Sequence, residues 1–184
     1  MRRRELIAAA PLVATAGCTI GGEPPDGSAF DITVPDAEGM LPEQYTCDGE
    51  GVSPPLRITS IPSGTASLAV VGEWLRGYTP RTIWLLWGLP ATEPLEIPPG
   101  IGDEQTPDAF EEAVQGATED GAVGYQPPCH ESPDHDSYRF IAHALSEPLD
   151  LEPGAGREDL DDRMSETLTD VSSTSVQLRY ERVR

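Results

Sequence analysis

Five stretches of the chain carry the two-residue period or the short apolar runs of β-strands. "FDITVP", beginning at Phe30, alternates apolar and polar positions and marks the start of the folded region. "TASLAVVGEW" and "TIWLLWGLP" are apolar, β-branched and aromatic runs, each stopped by turn residues or proline. "YRFIAHAL" and "SVQLRYERVR" read as further strands, the second setting Val176, Leu178 and Tyr180 against polar neighbours. Helical spacing dominates "REDLDDRMSETLTDV", where Leu160, Met164, Leu168 and Val171 recur at intervals of four, four and three. A second short helix is predicted over "TPDAFEEAV", with Thr106 as its cap and Pro107 at its first position. Strands follow one another without βαβ alternation, which argues against a parallel doubly wound sheet. The pattern predicts a mostly β fold, largely antiparallel, with one or two helices.

Composition adds a constraint on partners. The chain has 184 residues, enough for one domain with a single respectable core. Acidic residues number 32 against 12 basic ones, every basic residue is arginine, and the formal charge is -20. Such a charge repels nucleic acid and anionic membrane surfaces. Concentrated salt shortens the Debye length until self-repulsion nearly vanishes, so the lysine-free, acid-rich composition is expected of a halophilic source. An ordinary acidic domain is the alternative.

The N-terminus changes the picture again. "MRRRELIAAAPLVATAGC" places three arginines before a small-residue apolar stretch too short to span a bilayer, the layout of an export signal. Its adjacent arginines resemble a twin-arginine signal, and "TAGC" resembles the lipobox that leaves a lipidated cysteine, here Cys18. Residues 1–17 are therefore expected to be a signal peptide, 18–29 ("CTIGGEPPDGSA") a lipidated polar tether, and 30–184 the domain. Lipid on Cys18 would hold the domain at the extracytoplasmic face of a membrane. With Cys18 so used, Cys47 and Cys129 are left as the candidate disulfide outside the cytosol.

Candidate chemistry concentrates in "GYQPPCHESPDHDSYRF", which gathers Cys129, His130, His135 and three carboxylates. Three readings are open on the residues alone. The cysteine and histidines are zinc-type donors, but their spacing fits no standard site and a fourth ligand is missing. A Cys–His nucleophile pair, in a hydrolase or metal-dependent enzyme, requires Cys129 to be a free thiol. The third reading is a solvated acidic loop. The sequence contains no phosphate-binding glycine loop, GxSxG elbow, HExxH or CxxC.

A resemblance covers nearly all of residues 30–184. "LPEQYTCDGEGVSPPLRI" resembles the "IPxxYTCDGxxxSPPLxW" opening of the phosphatidylethanolamine-binding protein family, in its prokaryotic YbhB/YbcL or Raf kinase inhibitor-like branch. "PSGTASLAVV", "IWLLWGLPATEPLEIPPGI", "QGATEDGAVGYQPPC" and "YRFIAHAL" match later family segments in the family's order. The resemblance implies a central antiparallel-rich sheet, a small second sheet and peripheral helices. It also implies a binding or regulatory module rather than an enzyme, with no cofactor and no metal.

The family's anion pocket uses a "DPDAP" loop, a histidine on the next strand, and a second histidine before "RYxF". Matched without gaps, the loop triplet falls on Trp74, Leu75 and Arg76, preceded by Glu73. The strand histidine falls on Ile83 and the second on Asp136, just before Ser137 and Tyr138. A one-residue shift would bring in His135 but would unmatch Tyr138 and Phe140. The expected cleft therefore comprises Glu73, Trp74, Arg76, Ile83, Tyr125, Cys129, His130 and Asp136, its anion pocket rebuilt or lost, with Arg76 and the backbone amides of "GYQPPC" as the partial substitutes for the absent donors. Trp84 and Trp87 are expected in the core. The ligand is expected to be an unidentified small molecule or an extracytoplasmic protein. A surface lipoprotein without any pocket is the remaining alternative.

Overall fold

A computed structural model describes residues 29–129, 136–167 and 170–181. The predicted signal peptide, Cys18, the tether up to residue 28, His130, His135 and Leu168 lie outside the described residues.

Among the described residues, eight strands form two antiparallel sheets. The small sheet has the order β1 (Asp31–Thr33), β2 (Leu56–Thr59), β5 (Leu95–Ile97). The large sheet runs β6 (Val114–Gln115), β4 (Arg81–Pro90), β3 (Ser67–Trp74), β7 (Asp136–Leu145), β8 (Asp170–Tyr180). One α-helix, α1 (Arg157–Thr167), precedes β8, and a 3-10 turn spans Glu43–Tyr45. The mostly β, two-sheet expectation is met.

The central strand explains the layering. All eight residues of β3 are buried, which requires cover on both faces. Leu68, Val70 and Trp74 turn toward the small sheet and join Ile32, Leu56, Ile58, Leu95 and Ile97 in the larger core. Ala69 and Val71 turn the other way, onto Leu160 and Met164 of α1. The two predicted helical positions thus bury where their i,i+4 spacing places them. Trp84 and Trp87, three residues apart on β4, enter opposite cores as expected core residues.

Two helical expectations are corrected. Residues 106–114 form no helix: Phe110 N–H donates to Pro107 O (3.3 Å) and Ala113 N–H to Phe110 O (3.4 Å), bonds of successive turns. Phe110 packs on one core and Val114 on the other, a divergence that one helical face cannot provide. Val171 belongs to β8 rather than to the helix, because pairing with β7 already starts at Asp170 opposite Leu145.

Strands β2, β5 and β6 were not anticipated. Each has four residues or fewer, too few for a periodic signal.

Candidate functional site

The candidate cleft lies where β3 ends and β4 and β7 begin. Trp74 closes β3 and pairs across to Arg81 on β4 and to Tyr138 on β7. A wall formed by residues 126–129 runs beside β4, fixed by Gln126 N–H donating to Ile83 O at 2.7 Å. Between them is a cavity of about 220 Å³, lined by Trp74, Ile83 and Cys129 together with Arg81, Asp120 and Gln126.

A bulge sets the apolar floor. Pairing between β3 and β4 slips between Gly72 and Glu73, so the adjacent Ile83 and Trp84 both enter the larger core. Gly72 permits this: a Cβ there would lie 3.0 Å from Trp84 Cβ and 3.3 Å from both Ile83 Cγ1 and Phe140 Cε1. Trp84 meets Tyr125 and Phe140 edge-on, at centroid distances of 5.7 and 6.5 Å. Its indole N–H donates to Gln115 Oε1 at 2.7 Å.

At the outer edge, aromatic and charged groups are arrayed together. The Arg76 guanidinium sits 5.0 Å from the Trp74 ring centre, within cation–π range. Trp74 stacks on Tyr138 at 6.4 Å, and the Tyr138 hydroxyl faces Asp136 Oδ2 at 3.5 Å. Asp136 is the first residue of β7 and is only 9% exposed. Burial and the Asp136 charge both push the Tyr138 hydroxyl above its ordinary pKa, so it remains a neutral donor at physiological pH.

The remaining predicted positions separate. Glu73 is corrected: it points to the opposite sheet face, where Arg157 Nη1 donates to Oε1 at 2.8 Å and Arg139 Nε to Oε2 at 2.8 Å. Strand alternation requires this once Trp74 faces the cleft. Burial alone would raise the Glu73 pKa, but the two guanidiniums more than offset it and hold the carboxyl below its ordinary value. Tyr125 stands behind the wall, its hydroxyl donating to Tyr45 O at 2.6 Å. Cys129 is bonded to Cys47 with a Cα–Cα distance of 5.2 Å, so the free-thiol nucleophile reading fails.

Arg81, which was not anticipated, brings a cation to the lining. Asp120 accepts from it at 2.5 Å and Glu119 lies at 3.7 Å, so two neighbouring carboxylates already face its charge. Its position opposite Trp74 across the hairpin was the signal available in the sequence.

An antiparallel two-sheet domain with a small cleft at the strand ends, built from aromatic and hydrogen-bonding groups, defines a ligand-binding class of protein. The profile of the phosphatidylethanolamine-binding protein family matches residues 31–179, and the chain belongs to that family. A UPF0098 protein of Methanothermobacter thermautotrophicus is 39% identical over 128 residues, covering 66% of this chain and 79% of the relative. One from Pyrococcus horikoshii is 30% identical over 164 residues, covering 86% and 80% respectively. The crystal structure of a phosphatidylethanolamine-binding protein homologue from Chlamydia trachomatis superposes with a TM-score of 0.70 at 26% identity, covering 84% of this chain and 99% of that one. E. coli YbcL shares the fold, with a TM-score of 0.73 at 21% identity over 85% of this chain and all of YbcL.

Proposed function

We propose that the cleft binds an uncharged or weakly polar group, on a small ligand or a partner protein, and has given up anion binding. The single observation carrying this reading is Ile83: a buried aliphatic side chain lines the cavity at the position where the family resemblance calls for a pocket histidine. A phosphate site needs convergent, preferably positive donors. Asp136 supplies a carboxylate in place of the second histidine, Arg81 is already paired, and Arg76 rests on Trp74. The module acts by binding rather than by catalysis. Calorimetric titration with inorganic phosphate and with phosphoethanolamine is expected to show no saturable uptake. Millimolar or tighter binding of either, abolished by Trp74→Ala, would overturn the reading.

The domain acts at the extracytoplasmic face of a membrane, tethered through lipid on Cys18. "MRRRELIAAAPLVATAGC" supports this, and no described helix is long and apolar enough to cross a membrane. Intact-mass analysis of the membrane fraction should find a chain beginning at Cys18 with added acyl mass, and Cys18→Ser should release the protein. An unprocessed, lipid-free wild-type chain would sink the idea.

A further inference from the structure

The two edges of the large sheet are finished differently. At one edge β6 has only two residues, and loops cap it: Gln115 N–H donates to Gln105 O at 2.7 Å, and Gly154 N–H to Gln115 O at 3.0 Å. At the other edge β8 runs for 11 residues, with no strand beyond it among the described residues. Only its far end is covered there, where Arg179 N–H donates to Gly39 O at 3.0 Å and Leu41 N–H to Arg179 O at 2.6 Å.

Those two bonds identify the outward backbone groups. In an antiparallel ladder every second residue turns both its N–H and its C=O away from the paired strand. Pairing with β7 is regular from Tyr180 back to Ser172, so counting back in twos from Arg179 reaches Gln177, Ser175 and Ser173. Among the described residues, nothing bonds to the outward groups of these three, and all three are exposed. Such an edge specifies its own ligand: another extended segment, whose N–H and C=O groups recur at the same spacing. The usual deterrents to that pairing are lacking. Residues 171–178, "VSSTSVQL", contain no charge and no proline, within a chain of formal charge -20. The register shift of this pair lies at the start of β8, between Ala144 and Leu145 of its neighbour.

We propose that β8 pairs antiparallel with β8 of a second copy of this chain, about a two-fold axis at Ser175. This register sets Ser175 against its own counterpart and Ser173 against the partner's Gln177, each pair exchanging two main-chain bonds. Thr174 then lies beside the partner's Val176, a β-branched cross-strand pair. Pairing ends at Gln177, because residues 39–41 occupy the edge beside Arg179. Met40, 43% exposed, bridges to Arg179 at that limit and supplies an apolar rim. A second copy is the occupant the edge favours, since a two-fold contact uses the same three residues of both chains and leaves none of them open. An interface this small makes a weak dimer. Charge sets its conditions: two chains of -20 repel each other, and molar salt, which shortens the Debye length to about 3 Å, removes most of that repulsion. The inference does not rest on the cleft reading, because no residue of β8 lines the cleft.

Sedimentation equilibrium of the full chain carrying Cys18→Ser, in tenth-molar and in molar potassium chloride, tests the proposal. The dimer fraction should rise with salt. Ser175→Pro places a proline where the N–H faces outward on an edge strand, so circular dichroism and melting should stay close to wild type. Its association constant in molar salt should fall at least about tenfold, since the central pair is lost. Amide exchange locates the interface independently of that variant. At one salt concentration, Ser173, Ser175 and Gln177 should exchange at least about tenfold more slowly in concentrated than in dilute protein, while Thr174 and Val176, which face β7, change little. A wild type that stays monomeric in molar salt would overturn the proposal and leave the edge to a strand of some other protein. A dimer undiminished in folded Ser175→Pro, or one that forms without slowing those three amides, would overturn it too. So would protection independent of protein concentration, which would assign the edge to the chain's own residues 18–28.

Discussion

Glu73 and Trp74 are consecutive in β3 and serve opposite sides of the large sheet. Trp74 lines the cleft, while Glu73 receives Arg139 from β7 and Arg157 from α1 beneath the helix. The Glu73 side chain is 4% exposed, so its charge depends on those partners. Glu73→Ala should cost about 1–3 kcal/mol in urea unfolding, since it removes the charged partner of Arg139 while Arg157, about a third exposed, keeps Asp161. Arg157→Met should cost less, because Arg139 stays in place.

The same pair predicts an acid limb. The Glu73 pKa is depressed in the folded state below the ordinary 4.5, so its contribution is fully present above that value and is lost as pH falls through the folded pKa. Melting temperature should therefore fall more steeply between about pH 5 and pH 3 in the wild type than in Glu73→Gln. Parallel curves for the two proteins would remove Glu73 as a cause.

Gln115 holds the cleft floor from behind. Its Oε1 accepts from Trp84, and its Nε2 donates to Gly102 O at 3.2 Å and Glu104 O at 2.8 Å. Gln115→Leu orphans one buried donor and two carbonyls, and should destabilise by about 2–4 kcal/mol. Trp84 emission should shift at the same time, which a purely peripheral defect would not cause.

The Cys47–Cys129 bond closes a loop with a sequence separation of 82. Cys47→Ser should lower stability by about 4 kcal/mol on the chain-entropy account. Chemical denaturation of the variant beside the oxidised wild type measures this directly.

On the proposed reading, placing histidines at the two positions that the resemblance names should turn the cleft toward anions. Ile83→His with Asp136→His is expected to raise phosphate affinity by at least about tenfold, more strongly below the imidazole pKa of about 6.5. Calorimetry across that pH range tests both the gain and its direction.

The long strands β3, β4, β7 and β8 were legible because their apolar positions recur often enough to reveal a period. Leu160 and Met164 likewise announced α1 and the face it buries. "TPDAFEEAV" misled because a Thr-Pro start suits a turn as well as a helix, and only the distant Gly88 decides between them. Glu73 was misplaced despite a local clue, since neighbours in a strand cannot share a face without a bulge between them. Trp74, Ile83 and Cys129 line one cavity, and Arg81 beside them is held by Asp120, a long-range contact that no local pattern announces. A cavity of about 440 Å³ beside the start of β3 had no signature at all. It arises where residues 66–67, 87–90, 110–114 and 148–151 converge.

Cys129 belongs to the cleft lining, while Cys47 adjoins the 3-10 turn and its backbone N–H donates to Pro128 O at 3.2 Å. The anchoring of the cleft wall is thus partly written after translation, by oxidation of two residues far apart in the chain. Binding measured in dithiothreitol would interrogate a differently anchored wall from that of the oxidised protein. Any ligand screen on this domain therefore has the thiol reagent as a hidden variable, to be set before the library is chosen.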